Sequence, residues 1–186
     1  MKKIKIIMMS ATLALFSAGA MAQTEASVEV GGAPMYASKN IVENAVNSKD
    51  HTTLVAAVKA AGLVETLKGA GPFTVFAPTN AAFDMLPAGT VNNLLKPENK
   101  AALTTVLTSH VVEGRWSARE IVRMIKEQKG AATIKTISGA KLVATMKGSK
   151  IILTDENGGM STITIKDVNQ SNGVIHVVDH VLLPKM

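Results

Sequence analysis

The chain of 186 residues contains no cysteine, and only 3% of its residues are aromatic. Without cysteine there can be no disulfide bond, cysteine nucleophile or lipid-modified N-terminal cysteine, so stability must come from packing and hydrogen bonds. Few aromatics and dispersed lysines argue against a nucleic-acid surface, which interleaves basic and stacking side chains. The chain also lacks the His-Glu-x-x-His, Gly-x-Ser-x-Gly and three-glycine dinucleotide motifs. We therefore predict that the protein is not an enzyme.

The first 22 residues have the features of an export signal. Lysines at positions 2, 3 and 5 precede a short apolar run over residues 6–18, and small residues occupy positions 20 and 22. Since a membrane span needs roughly 20 apolar residues, the pattern predicts a cleaved signal peptide at 1–22, not an anchor. Cleavage removes three lysines and no acidic residue, which lowers the net charge from +6 to +3. The predicted product is secreted or periplasmic.

The remaining sequence divides into a leader and one domain. Residues 23–39 contain two glycines and a proline and show no sustained period, which predicts a flexible leader. Residues 40–128 have apolar positions three and four apart, which is typical of helices. Beyond Gly130 the period becomes two, and strands are predicted at residues 141–146, 150–154, 160–167 and 174–183. Helices mainly in the N-terminal half followed by antiparallel strands predict an α+β domain at 40–185.

Residues 71–83 (GPFTVFAPTNAAF) encode a strand followed by a helix start. Phe73 begins a β-prone run that Pro78 stops, because proline has no N–H group for a sheet ladder. Thr79 or Asn80 can then cap a short helix. The burial preference of phenylalanine predicts that three side chains of this segment anchor the core: Phe73, Phe76 and Phe83.

The last apolar segment (NGVIHVVDHVLLP) begins with a turn pair, Asn172 and Gly173, both of which tolerate positive φ. The strand that follows has apolar residues on both faces, so we predict that it is covered on both sides. His176 and His180 would lie about 13 Å apart along it, at roughly 3.3 Å per residue, with Asp179 on the other face. A metal site needs three or four converging ligands. We therefore predict hydrogen-bonded structural roles and no bound metal or other cofactor.

Three segments resemble the signatures of the fasciclin (FAS1) family: residues 74–83 (TVFAPTNAAF), 107–114 (LTSHVVEG) and 172–179 (NGVIHVVD). The resemblance extends from about Ile41 to Pro184. It implies a FAS1-like wedge of mostly antiparallel strands packed with several helices. It also implies a role in adhesion, through binding of cell-surface or matrix components.

The resemblance further implies candidate partner-binding residues. Asp167 and Val168 stand where some animal members have an Asp-Ile pair implicated in integrin recognition, and His110 stands at the family's central histidine. Two residues differ from the family pattern, since Ser109 replaces a tyrosine and Val168 an isoleucine. Turn chemistry would also account for Asp167, and burial for His110. These four residues are the predicted contact set.

Two function classes follow from these observations. The first is a secreted, monomeric, non-enzymatic adhesion module that binds a surface or matrix protein or polysaccharide, with no membrane span after signal cleavage. The second is an exported carrier of a small ligand, metal or haem, suggested by the 10 methionines. Four of these methionines belong to the predicted signal, and the others are scattered, which is typical of packing residues. The adhesion module is the favoured prediction.

Three arginines surround a predicted helix start. Ser117 and Glu120 form a capping-box pair, which predicts that a helix begins there. Arg115, Arg119 and Arg123 are spaced four residues apart across this start. A solvated helix face is the simpler interpretation, and a patch for an anionic polysaccharide or lipid headgroup is the alternative hypothesis.

Overall fold

The computed structural model describes residues 25–185, which contain seven α-helices and nine strands. The helices are α1 (Ile41–Ala45), α2 (Thr52–Ala61), α3 (Val64–Lys68), α4 (Asn80–Asp84), α5 (Thr90–Leu94), α6 (Lys100–Thr108) and α7 (Ala118–Glu127). The strands are β1 (Ser27–Val30), β2 (Ala33–Tyr36), β3 (Phe73–Pro78), β4 (Val111–Glu113), β5 (Ala131–Lys135), β6 (Lys141–Lys147), β7 (Lys150–Thr154), β8 (Met160–Gln170) and β9 (Gly173–Val178). Six helices precede β4, and five strands follow α7. The predicted α+β class is confirmed.

Seven strands form one sheet in the order β4-β3-β9-β8-β7-β6-β5. Neighbouring strands pair antiparallel except β3 and β9, which are parallel. The two ends of the sheet approach each other, because the Ile137 N–H, just after β5, donates to the Val111 carbonyl of β4 at 2.8 Å. The sheet is therefore close to a closed barrel, which leaves little unpaired edge.

Two apolar clusters lie on opposite sides of this sheet. One packs beneath α1 to α6 and includes Val75, Val106 and Ile175. The other lies inside the curved sheet, where Ile121 of α7 packs with Leu153 of β7. All six residues of β9 are buried, and the strand contributes side chains to both clusters. This confirms the prediction that the last strand is covered on both faces.

The predicted strand-to-helix segment forms as expected. The Thr79 hydroxyl accepts a hydrogen bond from the Ala82 N–H at 3.3 Å and caps α4. The Asn80 side chain accepts from the Thr53 N–H at 3.0 Å, which ties α4 to α2. Among the three predicted anchors, Phe76 and Phe83 are buried and Phe73 is half-buried.

The structure differs from the predicted flexible leader. Residues 27–36 form a β1–β2 hairpin, with Gly31 and Gly32 at positive φ in its turn. Val30 and Met35 are almost fully buried and pack into the helix-side cluster. Ordered structure therefore begins at least thirteen residues before the predicted domain start at residue 40 because this hairpin contributes to the core. The predicted signal peptide at 1–22 lies outside the described residues.

The last predicted strand ends earlier than expected. β9 stops at Val178 instead of residue 183, because the Asp179 carboxylate accepts from the Thr162 N–H and the His180 N–H donates to the Ser161 hydroxyl. His180 therefore lies in a turn and is exposed. The predicted 13 Å separation along one strand does not apply to this geometry.

Candidate interaction surface

Three of the predicted contact residues are buried. Ser109, His110 and Val168 are 1%, 2% and 0% exposed. Ser109 donates from its hydroxyl to the Val106 carbonyl at 2.7 Å where α6 ends, and Val168 packs in the helix-side cluster. These side chains are structural in this fold, which corrects the contact roles predicted for them.

His110 links two distant parts of the chain. Its Nδ1 donates to the Val106 carbonyl at 2.8 Å, and its Nε2 accepts from the Leu182 N–H at 2.9 Å. Burial lowers the pKa of His110 to about 4, against smaller opposing effects of the Val106 carbonyl and Asp155. The ring is therefore neutral at neutral pH, with the proton on Nδ1.

Asp167 is half-buried and fixes the start of α7. It lies in a bulge of β8 with φ of 59°, and its Oδ1 accepts from the Ala118 N–H at 2.7 Å. Its own N–H donates to Nδ1 of His176, whose Nε2 donates to the Trp116 carbonyl at 2.8 Å. Burial lowers the pKa of His176, which keeps the ring neutral for this bridge. The carboxylate also complements the positive end of the helix dipole.

Helix α7 starts with the predicted capping box. The Ser117 hydroxyl accepts from the Glu120 N–H at 3.3 Å, and the Glu120 carboxylate accepts from the Ser117 N–H at 2.7 Å. The hydrogen bonds that the Ser117 N–H and hydroxyl donate to this carboxylate lower the pKa of Glu120. Together with Asp167, the box anchors α7 against β8.

A long open groove, the α7 groove, runs between α7 and strands β7 and β8 and has a volume of about 1110 Å³. Five exposed cationic side chains line it: Arg119, Arg123, Lys126, Lys150 and Lys166. Three carboxylates also line it: Glu120, Asp167 and Asp179. Cations therefore stand on both walls and outnumber the acids.

The carboxylates of the groove already accept hydrogen bonds within the fold. Glu120 and Asp167 hold the start of α7, and Asp179 accepts from the Thr162 N–H at 2.6 Å and from the His180 ring at 2.8 Å. Partial burial pushes the pKa of Asp179 upward, but the hydrogen bonds from His180 and Thr162 outweigh it and hold the pKa below its usual value. The three carboxylates thus already accept hydrogen bonds within the fold, whereas the five cationic side chains are exposed to solvent.

The structure separates the three arginines that the sequence groups together. The Arg115 guanidinium donates to the carbonyls of Gln170 at 2.9 Å and Ser171 at 3.4 Å, so it fastens the end of β8. Arg119 and Arg123 line the α7 groove. No pattern in the sequence indicates that the lysines of the groove lie beside these arginines, because α7, β7 and β8 meet only in the folded chain.

A model of the Fasciclin domain matches residues 49–184. The chain belongs to the fasciclin family. The chain is 44% identical over 167 residues to "Protein sll1483" of Synechocystis sp., covering 89% of this chain and 85% of that protein. It is 35% identical over 145 residues to "Immunogenic protein MPB70" of Mycobacterium bovis, covering 75% of this chain and 66% of that protein.

The fold of this fasciclin domain is similar to a solved structure of a FAS1 domain pair from the insect cell adhesion molecule Fasciclin I. The TM-score is 0.69 at 14% identity, and the match covers 86% of this chain and 58% of that one. At this identity the likeness shows the fold alone, and it confirms the predicted FAS1-like wedge.

The signature segment at residues 172–179 of the fasciclin domain joins three elements. The Asn172 side chain accepts from the Ile41 N–H at 3.0 Å and donates to the carbonyls of Leu67 at 2.8 Å and Gly69 at 2.9 Å. At Gly173 a β-carbon would lie 2.1 Å from the Phe73 carbonyl oxygen, so only glycine fits beside β3. This segment therefore connects α1, the end of α3 and β3 to β9.

Two observations concern the carrier alternative. No group of three or more histidine, cysteine or acidic side chains among residues 25–185 is arranged to hold a metal ion. A cavity of about 80 Å³, lined mostly by apolar side chains such as Leu54, Val58 and Ile175, lies between the helices and the sheet. Within the same residues, no helix is long and apolar enough to cross a membrane.

Replacing Asp167 by alanine is expected to lower the free energy of unfolding by about 1–2 kcal/mol, measured by urea denaturation. The Ala118 N–H would lose its acceptor, and alanine fits a φ of 59° less well than aspartate. Asp167→Asn is the matched control, because it keeps an acceptor oxygen and tolerates this φ, and should cost less than about 1 kcal/mol. Wild-type stability in the alanine variant would contradict the assigned role.

Proposed function

We propose that this fasciclin domain is an exported, non-enzymatic adhesion module that binds a component of a cell surface or extracellular matrix through the α7 groove. Export is supported by the signal pattern of residues 1–22. Adhesion is supported by membership of the fasciclin family and by the fold shared with an insect cell adhesion molecule.

The observation that carries the proposal is the charge arrangement of the α7 groove. Its cationic side chains are exposed on both walls, and its carboxylates are already hydrogen-bonded. A concave surface with a surplus of one charge attracts and orients partners of the opposite charge. None of the large exposed apolar residues of the described chain lies in this groove: Val28, Val46, Met85, Ile137, Met146 and Met160. Binding there should therefore be polar and sensitive to salt.

The proposal is tested by sedimenting the purified protein with intact cells of the organism that produces it. We expect saturable retention on the cells. The variant Arg119→Gln/Arg123→Gln/Lys126→Gln should bind about fivefold more weakly, because three exposed ionic contacts together contribute roughly 1 kcal/mol.

The matched control is Lys59→Gln/Lys135→Gln/Lys141→Gln, which removes three exposed charges outside the groove. This variant should be retained like the wild type. Far-UV circular dichroism checks that both variants are folded. Absence of saturable retention, or an equal loss in both variants, would overturn the proposal.

A further inference from the structure

One wall of the α7 groove carries regularly spaced positive charges. Arg119 and Arg123 are four residues apart on α7, and Lys126 follows three residues later. Residues three and four apart are neighbours on a helix surface. Helix α7 has 10 residues and is therefore about 15 Å long. This wall thus presents a row of cations along an extended path.

The opposite wall continues the positive charge. Lys150 begins β7, and Lys166 immediately precedes the bulge at Asp167 in β8. Among residues 25–185, the only one of the five groove cations with an ion pair is Arg123, which lies 3.6 Å from Glu127. Both of these side chains are well exposed, so that pair is weak. The cations of both walls are available to a ligand.

The residues that line the groove argue against three classes of partner: nucleic acids, lipid surfaces and proteins. No aromatic residue lines it, so it offers no stacking platform for nucleic-acid bases. It is concave and holds none of the large exposed apolar side chains that would insert into a lipid surface. Nor does it hold an aromatic anchor of the kind that dominates protein interfaces.

The rest of the lining suits a sugar polymer. Ser149 and Thr162 place hydroxyl groups along the groove. Between the charged walls lies the half-buried Val122, an aliphatic side chain against which the C–H face of a sugar ring can pack. Charge, hydroxyls and one aliphatic side chain occur together in the groove.

We infer that the α7 groove binds a linear acidic polysaccharide, a sugar polymer with repeated carboxylate or sulfate groups. This inference rests on the proposed function, because it names the partner class of the same groove. The anionic groups pair with the cations of both walls, and the sugar hydroxyls meet the hydroxyls of the lining.

The test measures binding of alginate oligomers, a linear polymer of uronic acids, to the purified protein by isothermal titration calorimetry. Dextran serves as the neutral polymer and poly-aspartate as a polyanion without sugar. We expect alginate to bind saturably, dextran not to bind, and poly-aspartate to bind more weakly. Raising NaCl from about 50 to about 300 mM should weaken alginate binding roughly tenfold.

Two matched variants locate the site. Lys150→Gln/Lys166→Gln should weaken alginate binding about fivefold. Lys135→Gln/Lys141→Gln removes the same charge from two exposed lysines that face each other across β5 and β6, outside the groove, and should leave the affinity unchanged. No alginate binding, equal effects of the two variants, or poly-aspartate binding as tight as alginate would each overturn the inference.

The cell-sedimentation experiment separates the two proposals. Groove-dependent retention on cells without alginate binding would leave the adhesion function standing and remove the polysaccharide. Alginate binding by the groove without retention on cells would support the ligand class and remove the proposed function.

Discussion

Replacing Asn172 by alanine is expected to lower the free energy of unfolding by about 4 kcal/mol, because two buried groups and one partly buried group lose their partner and each costs roughly 1–3 kcal/mol. These groups are the Ile41 N–H and the carbonyls of Leu67 and Gly69. Domains of this kind are stable by only about 5–15 kcal/mol, so the loss is a large share. Urea denaturation followed by circular dichroism measures it.

Two further substitutions show whether the hydrogen bonds of Asn172 are the cause. Asn172→Asp has nearly the same shape but places a carboxylate oxygen opposite the two carbonyls, so it should destabilise at least as much as alanine. Asn169→Ala is the control, because Asn169 is exposed and makes a single 3.3 Å bond to the Asp167 carbonyl. If the Asp variant were as stable as the wild type, the hydrogen-bonding role would be wrong.

Acid is expected to destabilise the domain between about pH 6.5 and pH 4. Burial lowers the pKa of His110 from 6.5 to about 4 in the folded chain, so the unfolded chain takes up a proton first as the pH falls. Stability is therefore complete above pH 6.5 and decreases toward pH 4, by about 3 kcal/mol for this residue at 1.36 kcal/mol per pKa unit. Burial also lowers the pKa values of His51 and His176, so these two residues also make the domain less stable as the pH falls.

This pH dependence can be assigned to His110 by substitution. Urea denaturation at about pH 7.5, 5.5 and 4.5 gives the slope of stability against pH. His110→Gln should be less stable at neutral pH, yet its stability should fall less steeply in acid. Asn169→Ala removes an exposed side chain that does not titrate, and it should keep the wild-type slope. A wild-type slope in the His110 variant would refute the assignment.

Local signals of the sequence predicted their structures well. The capping box of Ser117 and Glu120, the cap at Thr79 and the burial of Phe76 each depend on residues a few positions apart. The predicted fold class followed from the change of period after Gly130. Such features need no knowledge of which elements meet in space.

Features that depend on distant contacts were not predictable from one sequence. The apolar alternation continues past Val178, but the Leu182 N–H bonds to the ring of His110 instead of a neighbouring strand. Burial was one of the two interpretations of His110, whereas the residue type of Ser109 gave no sign of it. The α7 groove combines Arg119 with Lys150 and Lys166, and no spacing along the chain connects them.

The position of β9 in the chain determines how late the two apolar clusters can be completed. This strand is central in the sheet and contributes to both apolar clusters, yet it follows every other strand in the chain. Its parallel partner is far away in sequence, since Phe73 pairs with Gly173. Long-range pairing of this kind slows folding. Neither cluster is complete until β9 has been synthesised, so a chain that is still growing cannot bury its apolar residues fully until almost its last residues have been added.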